Sequence, residues 1–322
     1  MAGKLNMPVF KSVLFILIFS CFYNPLKGQQ TPDYPISYRV FSPQIFNPAI
    51  VGSKDYFAVD LITAKCGESN SQVLSGNLRL SKAQAGYFTS SSSPEFTNIG
   101  AGGFLFNDFS GLSRNIGIGG SASYHFQTDK NALSFLSFGA SAKAVFNRYS
   151  GDPDLSESAQ STFFPNFDAG VYYYNTKLFA GLSATNLLGK PKDSDTLDSY
   201  TIPVSRQLFF QIGYKLVLIK SWNLLLEPSL ILNSDDSFSG EITDMIQPAL
   251  KLYADNFCLG TYFNDFNKTS VFFQYKYKAL YVGTFFEMQN GSPFYKTPLR
   301  TELIIGLNIS AIKSGISRNN HW

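Results

Sequence analysis

The fold is decided by residues 115–126, which read Asn-Ile-Gly-Ile-Gly-Gly-Ser-Ala-Ser-Tyr-His-Phe. The even-numbered positions, from Ile116 to Phe126, carry mostly apolar side chains, and the odd-numbered positions, from Asn115 to His125, carry glycine or polar side chains; we call this even or odd placement the parity of a residue. Because successive side chains of a strand point to opposite faces, such a strand has one apolar and one small, polar face. This pattern is typical of a transmembrane β-barrel, which is apolar toward lipid, polar inside and closed so that no backbone group is unpaired.

The same alternation recurs along the chain. Strand candidates begin near Tyr56, Gln72, Asn98, Ser113, Asn131, Phe164, Lys177, Pro203, Ser221, Asp244, Asn256, Thr269, Ala279 and Leu299. The sequence therefore predicts an all-β fold, a transmembrane antiparallel β-barrel of about 14 strands over residues 56–310.

The connections between these strands alternate in length. Tight turns are predicted at Thr128–Asn131, Asn175–Lys177, Ile219–Ser221, Ala254–Asn256 and Lys278–Ala279. Longer loops are predicted at Asn107–Arg114, Ser150–Phe163, Asn186–Pro203, Asn233–Gly240, Asn264–Thr269 and Gln289–Pro298. Outer-membrane barrels place short turns in the periplasm and long loops outside, so Ala85–Thr97 is the exception, a long periplasmic turn.

The composition favours a membrane barrel over a soluble protein. Charged residues are 15% of the chain, below the roughly 25% of soluble domains, while aromatic residues reach 16%. The alternative is a soluble β-sandwich with one solvent-exposed face. That face would carry charged residues at the positions where this chain has glycine, serine, asparagine and glutamine. The net charge of +3 is small and scattered, so the sequence gives no indication of nucleic-acid binding.

Residues 1–28 have the layout of a secretory signal peptide. Lys4 and Lys11 precede an apolar stretch, Val13–Tyr23, and Gly28 offers a small residue for cleavage. The alternatives are a retained membrane anchor and a lipoprotein lipidated at Cys21. Cleavage near Gly28 would deliver the chain to the cell outer membrane.

Residues 29–55 contain four prolines, which exclude a central strand. We interpret this region as an extended N-terminal segment that plugs the lumen, with Asn47, Pro48 and Gly52 as its candidate plug residues. Residues 311–322 form a C-terminal tail after the barrel.

The polar parity of the strands carries charges of both signs. The candidate lumen charges are Asp60, Arg79, Lys143, Asp168, Lys215, Glu227, Lys251, Lys276, Lys278, Glu287 and Glu302. An ion-selective pore favours one sign, whereas balanced charges can pair across a filled or narrow interior. The alternative is that lumen water solvates them.

No catalytic, metal or cofactor site stands out. The serines, aspartates and two histidines match no triad-like or Gly-x-Ser-x-Gly context, so we expect no enzyme and no cofactor. His125 is expected to hydrogen-bond within the lumen. Cys66 and Cys258 lie far apart, and buried thiols are favoured over the alternative of a disulfide.

Several motifs resemble the PorP/SprF family of outer-membrane proteins, part of the type IX secretion and gliding system of Bacteroidetes. The clearest are Pro165–Tyr173, Lys177–Ser183, Asn186–Leu188 and the Asn-Pro-Ala segment within Phe46–Gly52. Glu227–Leu230 and Thr301–Leu303 match more loosely. The chain departs from the family in lacking a Gln-Trp segment after Cys66, and its last strand lacks the closing aromatic of many outer-membrane barrels.

The resemblance implies a non-enzymatic component of type IX protein secretion or gliding motility. Its partners would be outer-membrane lipid and either a secreted adhesin-like cell-surface protein or machinery components, namely a periplasmic ring or lipoproteins. The sequence looks more like a substrate-specific copy than core machinery. The alternative function is an outer-membrane channel for small hydrophobic molecules, similar to fatty-acid transporters, with a path past Asn47–Gly52.

Overall fold

The computed structural model describes residues 35–54, 56–81, 96–129, 133–150, 159–189, 206–235, 245–264, 268–289 and 300–310. Within these residues, one short helix, α1 (Ile36–Phe41), and two 3-10 turns, Pro43–Ile45 and Pro48–Ile50, precede the strands. The strands are β1 (Tyr56–Cys66), β2 (Ser69–Ser81), β3 (Phe96–Ser110), β4 (Ser113–Asp129), β5 (Ser134–Tyr149), β6 (Gln160–Tyr174), β7 (Leu178–Thr185), β8 (Gln207–Tyr214), β9 (Leu216–Ile219), β10 (Leu224–Asp235), β11 (Ile246–Ala254), β12 (Phe257–Asn264), β13 (Lys268–Tyr277), β14 (Leu280–Gln289) and β15 (Arg300–Ser310). A further 3-10 turn, Lys220–Trp222, joins β9 to β10.

The strands close into an antiparallel barrel. Neighbours in the chain pair with each other, and β1 pairs with β15 from Tyr56↔Ser310 to Lys65↔Thr301. β8 and β9 lie end to end and both pair with β10, so together they fill one position in the wall. The described strands therefore make a closed barrel of 14 positions, which confirms the predicted fold.

Burial alternates along the strands as the sequence predicts. On β4, Ser121, Ser123 and His125 are buried, whereas Ile118 and Phe126 are 54% and 50% exposed. A soluble protein buries large apolar side chains, but here they cover the outer surface. This inversion is the arrangement of a barrel that stands in lipid, and it excludes the soluble sandwich.

Two connections are shorter than predicted. β3 runs to Ser110 and β4 begins at Ser113, so the predicted loop Asn107–Arg114 is a tight hairpin at Gly111, whose φ of +57° suits glycine. Only three residues separate β12 from β13. The polar residues that indicated a loop extend β3 and β4 to 15 and 17 residues, beyond the 9–11 that span a bilayer.

The described helices are too short or too polar to cross a membrane. The predicted signal peptide (1–28), most of the turn Ala85–Thr97 and the C-terminal tail (311–322) fall outside the described residues.

Candidate functional site

The N-terminal segment, residues 35–54, lies inside the barrel. Its backbone is compact rather than extended, because helix α1 and the two 3-10 turns fold it back on itself. Pro43 and Pro48 each begin a 3-10 turn, a position where the fixed φ of proline fits and its missing N–H is not needed. Tyr38, Ala49 and Val51 are at most 1% exposed, so the segment fills space that the wall encloses.

Backbone carbonyls of this segment are bound by side chains of the wall. Three serine hydroxyls each donate one hydrogen bond. Ser183 Oγ donates to Phe46 O at 2.8 Å, Ser137 Oγ to Ala49 O at 2.6 Å, and Ser123 Oγ to Val51 O at 2.5 Å. A buried carbonyl without a partner is costly, so each serine stabilises the segment in this position. Sequence reasoning missed these three serines as anchors, although their inward parity was visible.

A second group of contacts depends on glycine. A Cβ on Gly139 would collide with the backbone of Pro48 and Ala49, and a Cβ on Gly170 would collide with Asn47 Oδ1. Gly52 has φ of +72°, and a Cβ there would lie 2.6 Å from Gly100 Cα. The wall and the segment therefore approach backbone to backbone, which only glycine allows at these positions.

Asn47 ties the segment both to itself and to the wall. Its Oδ1 accepts from Ala49 N at 3.0 Å, which caps the second 3-10 turn, and its Nδ2 donates to Val171 O at 3.2 Å. Asn47 is 3% exposed, Pro48 is buried beside it, and Gly52 follows the turn. All three candidate plug residues thus contact the wall or lie against it.

His125 belongs to the same anchoring network. Its Nε2 lies 2.9 Å from Val51 O, and its Nδ1 lies 3.0 Å from the Tyr174 hydroxyl, which also accepts from Arg79 Nη1 at 3.4 Å. With Nε2 donating to Val51 O, Nδ1 is free to accept from Tyr174. Ser123 Oγ also donates to Val51 O and lies 3.0 Å from His125 Nε2, so Ser123 and His125 together hold the segment at this carbonyl.

The predicted lumen charges fall into three groups. Those that are buried are Asp60, Arg79, Asp168, Glu227, Lys251, Glu287 and Glu302. Lys143, Lys215 and Lys276 are partly buried. Lys278 departs from the prediction: it is exposed in the turn after β13, with φ of +56° and its Nζ 5.4 Å from the centroid of the Tyr277 ring. Lys278 has the inward parity, but the strand ends one residue before it.

Three pairs of opposite charge occur among the described residues. They are Lys143–Asp168 at 2.8 Å, Lys251–Glu227 at 2.8 Å and Arg300–Glu287 at 3.7 Å. Arg300 was not among the predicted charges, although it has the same parity as Glu302. Two further carboxylates bind neutral donors, since Glu302 Oε2 accepts from Ser37 N at 2.8 Å and Asp60 accepts from the Tyr281 hydroxyl.

A cavity of about 140 Å³ remains beside the segment. Its lining includes the charged side chains Arg39, Lys54, Asp60, Lys215, Glu227 and Lys251. Removal from bulk water lowers the pKa of the Lys54 ammonium, and the nearby Asp60 carboxylate opposes that shift. Within the described part of the chain, no group of three His, Cys, Asp or Glu side chains could hold a metal ion. Cys258 carries a buried free thiol in the cavity wall.

A family model described as type IX secretion system membrane protein PorP/SprF matches residues 28–307. No curated protein matches the chain. Among solved structures, the KdgM porin is 11% identical over 79% of this chain and 98% of its own, with a TM-score of 0.36. BamA from Haemophilus ducreyi lacking POTRA domains 1–3 is 10% identical over 78% of this chain and 70% of its own, with a TM-score of 0.38. The beta domain of the Bordetella autotransporter BrkA is 11% identical over 80% of this chain and 98% of its own, with a TM-score of 0.31.

Proposed function

This chain belongs to the PorP/SprF family of type IX secretion system membrane proteins, and from that premise we propose that it works through protein–protein contacts rather than catalysis. In this proposal it supports the export or surface anchoring of one secreted, adhesin-like protein, as part of type IX secretion and gliding motility. The observation that carries the proposal is the filled lumen. A barrel whose interior is occupied by its own chain cannot pass a folded or unfolded protein, so it contributes to secretion as a binding partner.

The contacts inside the barrel support a fixed segment. Three wall serines bind carbonyls of residues 46, 49 and 51, and Glu302 binds the backbone N–H of Ser37. These anchors come from β4, β5, β7 and β15, on both sides of the barrel. Expelling the segment would expose each carbonyl and several buried aromatic side chains, including Tyr38 and Phe41, so a passage through the lumen would be costly to open.

We propose that the signal peptide is cleaved near Gly28 and that the barrel stands in the outer membrane with its short turns toward the periplasm. The described turns at 175–177, 255–256 and 278–279 all lie at one end of the barrel. The strand ends that flank the longer connections, between β5 and β6, β7 and β8, β10 and β11, and β14 and β15, lie at the other end, where short turns also join β1 to β2 and β3 to β4. Apart from the long connection between β2 and β3, this division fits the periplasmic and external ends of outer-membrane barrels. A secreted partner would meet the long-loop end, and ring or lipoprotein components would meet the short-turn end.

The test is co-purification. The chain, tagged in its C-terminal tail, is crosslinked in cells, extracted in mild detergent, and its partners are identified by mass spectrometry. Recovery of one large secreted surface protein supports a dedicated anchor, and recovery of periplasmic ring or lipoprotein components supports the core machinery. A second, unrelated outer-membrane barrel with the same tag is the control.

Reproducible recovery of the barrel alone, after crosslinking, would contradict the proposal. The alternative, a channel for small hydrophobic molecules, would then gain weight. That alternative predicts uptake that depends on displacement of the segment Asn47–Gly52, and the anchors of that segment argue against it.

A further inference from the structure

The cavity beside the N-terminal segment has an unusual balance of charge. It lies between the N-terminal segment and wall residues of β1, β6 to β8 and β10 to β15, and among the described residues four cationic and two anionic side chains line it. The cations are Arg39, Lys54, Lys215 and Lys251, and the anions are Asp60 and Glu227. Arg39 also stacks over the Phe46 ring, with its Cζ 5.7 Å from the ring centroid, and the three lysines alone exceed the two carboxylates by one positive charge.

Both carboxylates also accept hydrogen bonds from other donors, so each compensates the lysines of the cavity only in part. Glu227 Oε1 accepts from Lys251 Nζ at 2.8 Å, and Glu227 Oε2 accepts from the Tyr253 hydroxyl at 3.4 Å. Asp60 accepts from the Tyr281 hydroxyl. Lys54 Nζ lies 5.3 Å from the centroid of the Tyr56 ring, a cation–π contact that compensates only part of an ammonium charge.

A cation held away from bulk water is costly unless an anion or several hydrogen bonds compensate it. We propose that this cavity is a binding site for a small oxyanion, a free phosphate or a small carboxylate, held chiefly by Lys54 and Lys215. Lysine ammonium groups bind such anions as compact point charges with three donors each. The amide side chains of Gln211 and Gln274 also line the cavity and can donate to further oxygens of the ligand.

The size of the cavity limits the ligand. A cavity of about 150 Å³ in another protein holds a benzene molecule, so the present volume of about 140 Å³ suits a ligand of roughly five to eight non-hydrogen atoms. A phospholipid is much larger, and the barrel wall separates the cavity from the bilayer. The expected ligand is therefore a free anion rather than a lipid headgroup.

The experiment is calorimetric titration of the full barrel, purified in a detergent without phosphate and dialysed against chloride. The probes are inorganic phosphate and succinate, each at matched ionic strength. We expect saturable binding of at least one probe, and a weakening of about tenfold or more in Lys215→Gln, because one charge-assisted hydrogen bond is lost. Lys278→Gln, which removes an exposed lysine outside the lumen, is the control and should bind as the parent does.

A melting curve without ligand shows whether Lys215→Gln is folded, and Lys54→Gln is the second variant if it is not. The proposal is overturned if neither probe binds saturably below about 10 mM, an affinity too weak for a built site. It is also overturned if both lysine variants bind as the parent does, or if only added phospholipid, and neither soluble probe, produces a binding signal. The result is independent of the proposed function, since the site would exist whether or not a secreted protein is bound.

Discussion

The two sides of the lumen hold the N-terminal segment in different ways. On the side formed by β3 to β7, which we call the small-residue side, the wall contacts the segment through Gly100, Ser123, Ser137, Gly139, Gly170 and Ser183. On the side formed by β8 to β15, which we call the aromatic side, ring contacts join the hydrogen bond from Ser37 N to Glu302. Phe46 packs on Phe209 at 5.1 Å, and Phe41 packs on Tyr281 at 5.5 Å and on Phe285 at 5.8 Å between ring centroids.

This difference decides where space is left. Glycine and serine let two backbones approach closely, so the small-residue side is tightly packed and three of its serines bind carbonyls of the segment directly. Aromatic and lysine side chains hold the segment at a distance, and the cavity with its excess of positive charge lies on that side. The filled lumen therefore combines a close contact on one side with a looser, charged one on the other.

The largest effect is expected from Glu227→Gln on the aromatic side. The change leaves Lys251 without its carboxylate partner at 2.8 Å, and Lys215 and Lys54 line the same cavity. Breaking a buried ion pair by removing one member lowers the free energy of unfolding by about 3–5 kcal/mol. Guanidinium unfolding of the barrel in detergent micelles measures the change. Glu68→Gln, in the exposed turn between β1 and β2, is the control, and equal midpoints for the two variants would contradict the prediction.

Gly139→Val should give the next largest loss of stability, because it disrupts the close contact between the small-residue side and the segment. The new Cβ collides with the backbone of Pro48 and Ala49, so either the segment moves or the strand bends. Overpacking of this kind costs about 1–3 kcal/mol, measured by the same unfolding experiment. Gly120→Val is a matched control on the neighbouring strand β4, because a Cβ at Gly120 meets nothing within 4 Å. If both valine variants unfold alike, the close contact at Gly139 does not stabilise the segment.

Asn47→Ala sharpens the comparison by removing one polar anchor without adding bulk. It deletes the cap on Ala49 N and the hydrogen bond to Val171 O. Loss of a cap and one buried hydrogen bond lowers the free energy of unfolding by about 1–2 kcal/mol. Asn98→Ala, an exposed asparagine on β3, should stay within about 0.5 kcal/mol of the parent. A larger loss in Asn98→Ala than in Asn47→Ala would refute the anchoring role.

The smallest effect is expected from Lys278→Gln. Lys278 lies in an exposed turn outside the lumen, so its charge should change the free energy of unfolding by less than about 0.5 kcal/mol. Denaturant midpoints of Lys278→Gln and the parent test this. A loss comparable with that of Glu227→Gln would mean that Lys278 reaches a buried partner after all.

Much of the fold could be read from residue parity. The alternation in β4 predicts the outward Ile118 and the inward His125, and both are found there. The position of a strand end could not be read in the same way. Asn107 and Asp108 looked like a loop because they are polar, but β3 continues through them beyond the thickness that lipid imposes. Lys278 was assigned to the lumen by its parity. Parity predicts the direction of a side chain only within a strand, and β13 ends at Tyr277.

The sequence by itself determined the barrel, its number of strand positions and the outward or inward direction of most side chains. These properties depend on a period of two residues, which is local and needs no partner. Only the tertiary structure decided that Ser123, Ser137 and Ser183 bind one segment, that Lys251 pairs with Glu227, and that a charged cavity remains beside Lys54. Each of these depends on how close residues far apart in sequence come when the barrel closes. Closure is a global constraint that no local pattern records.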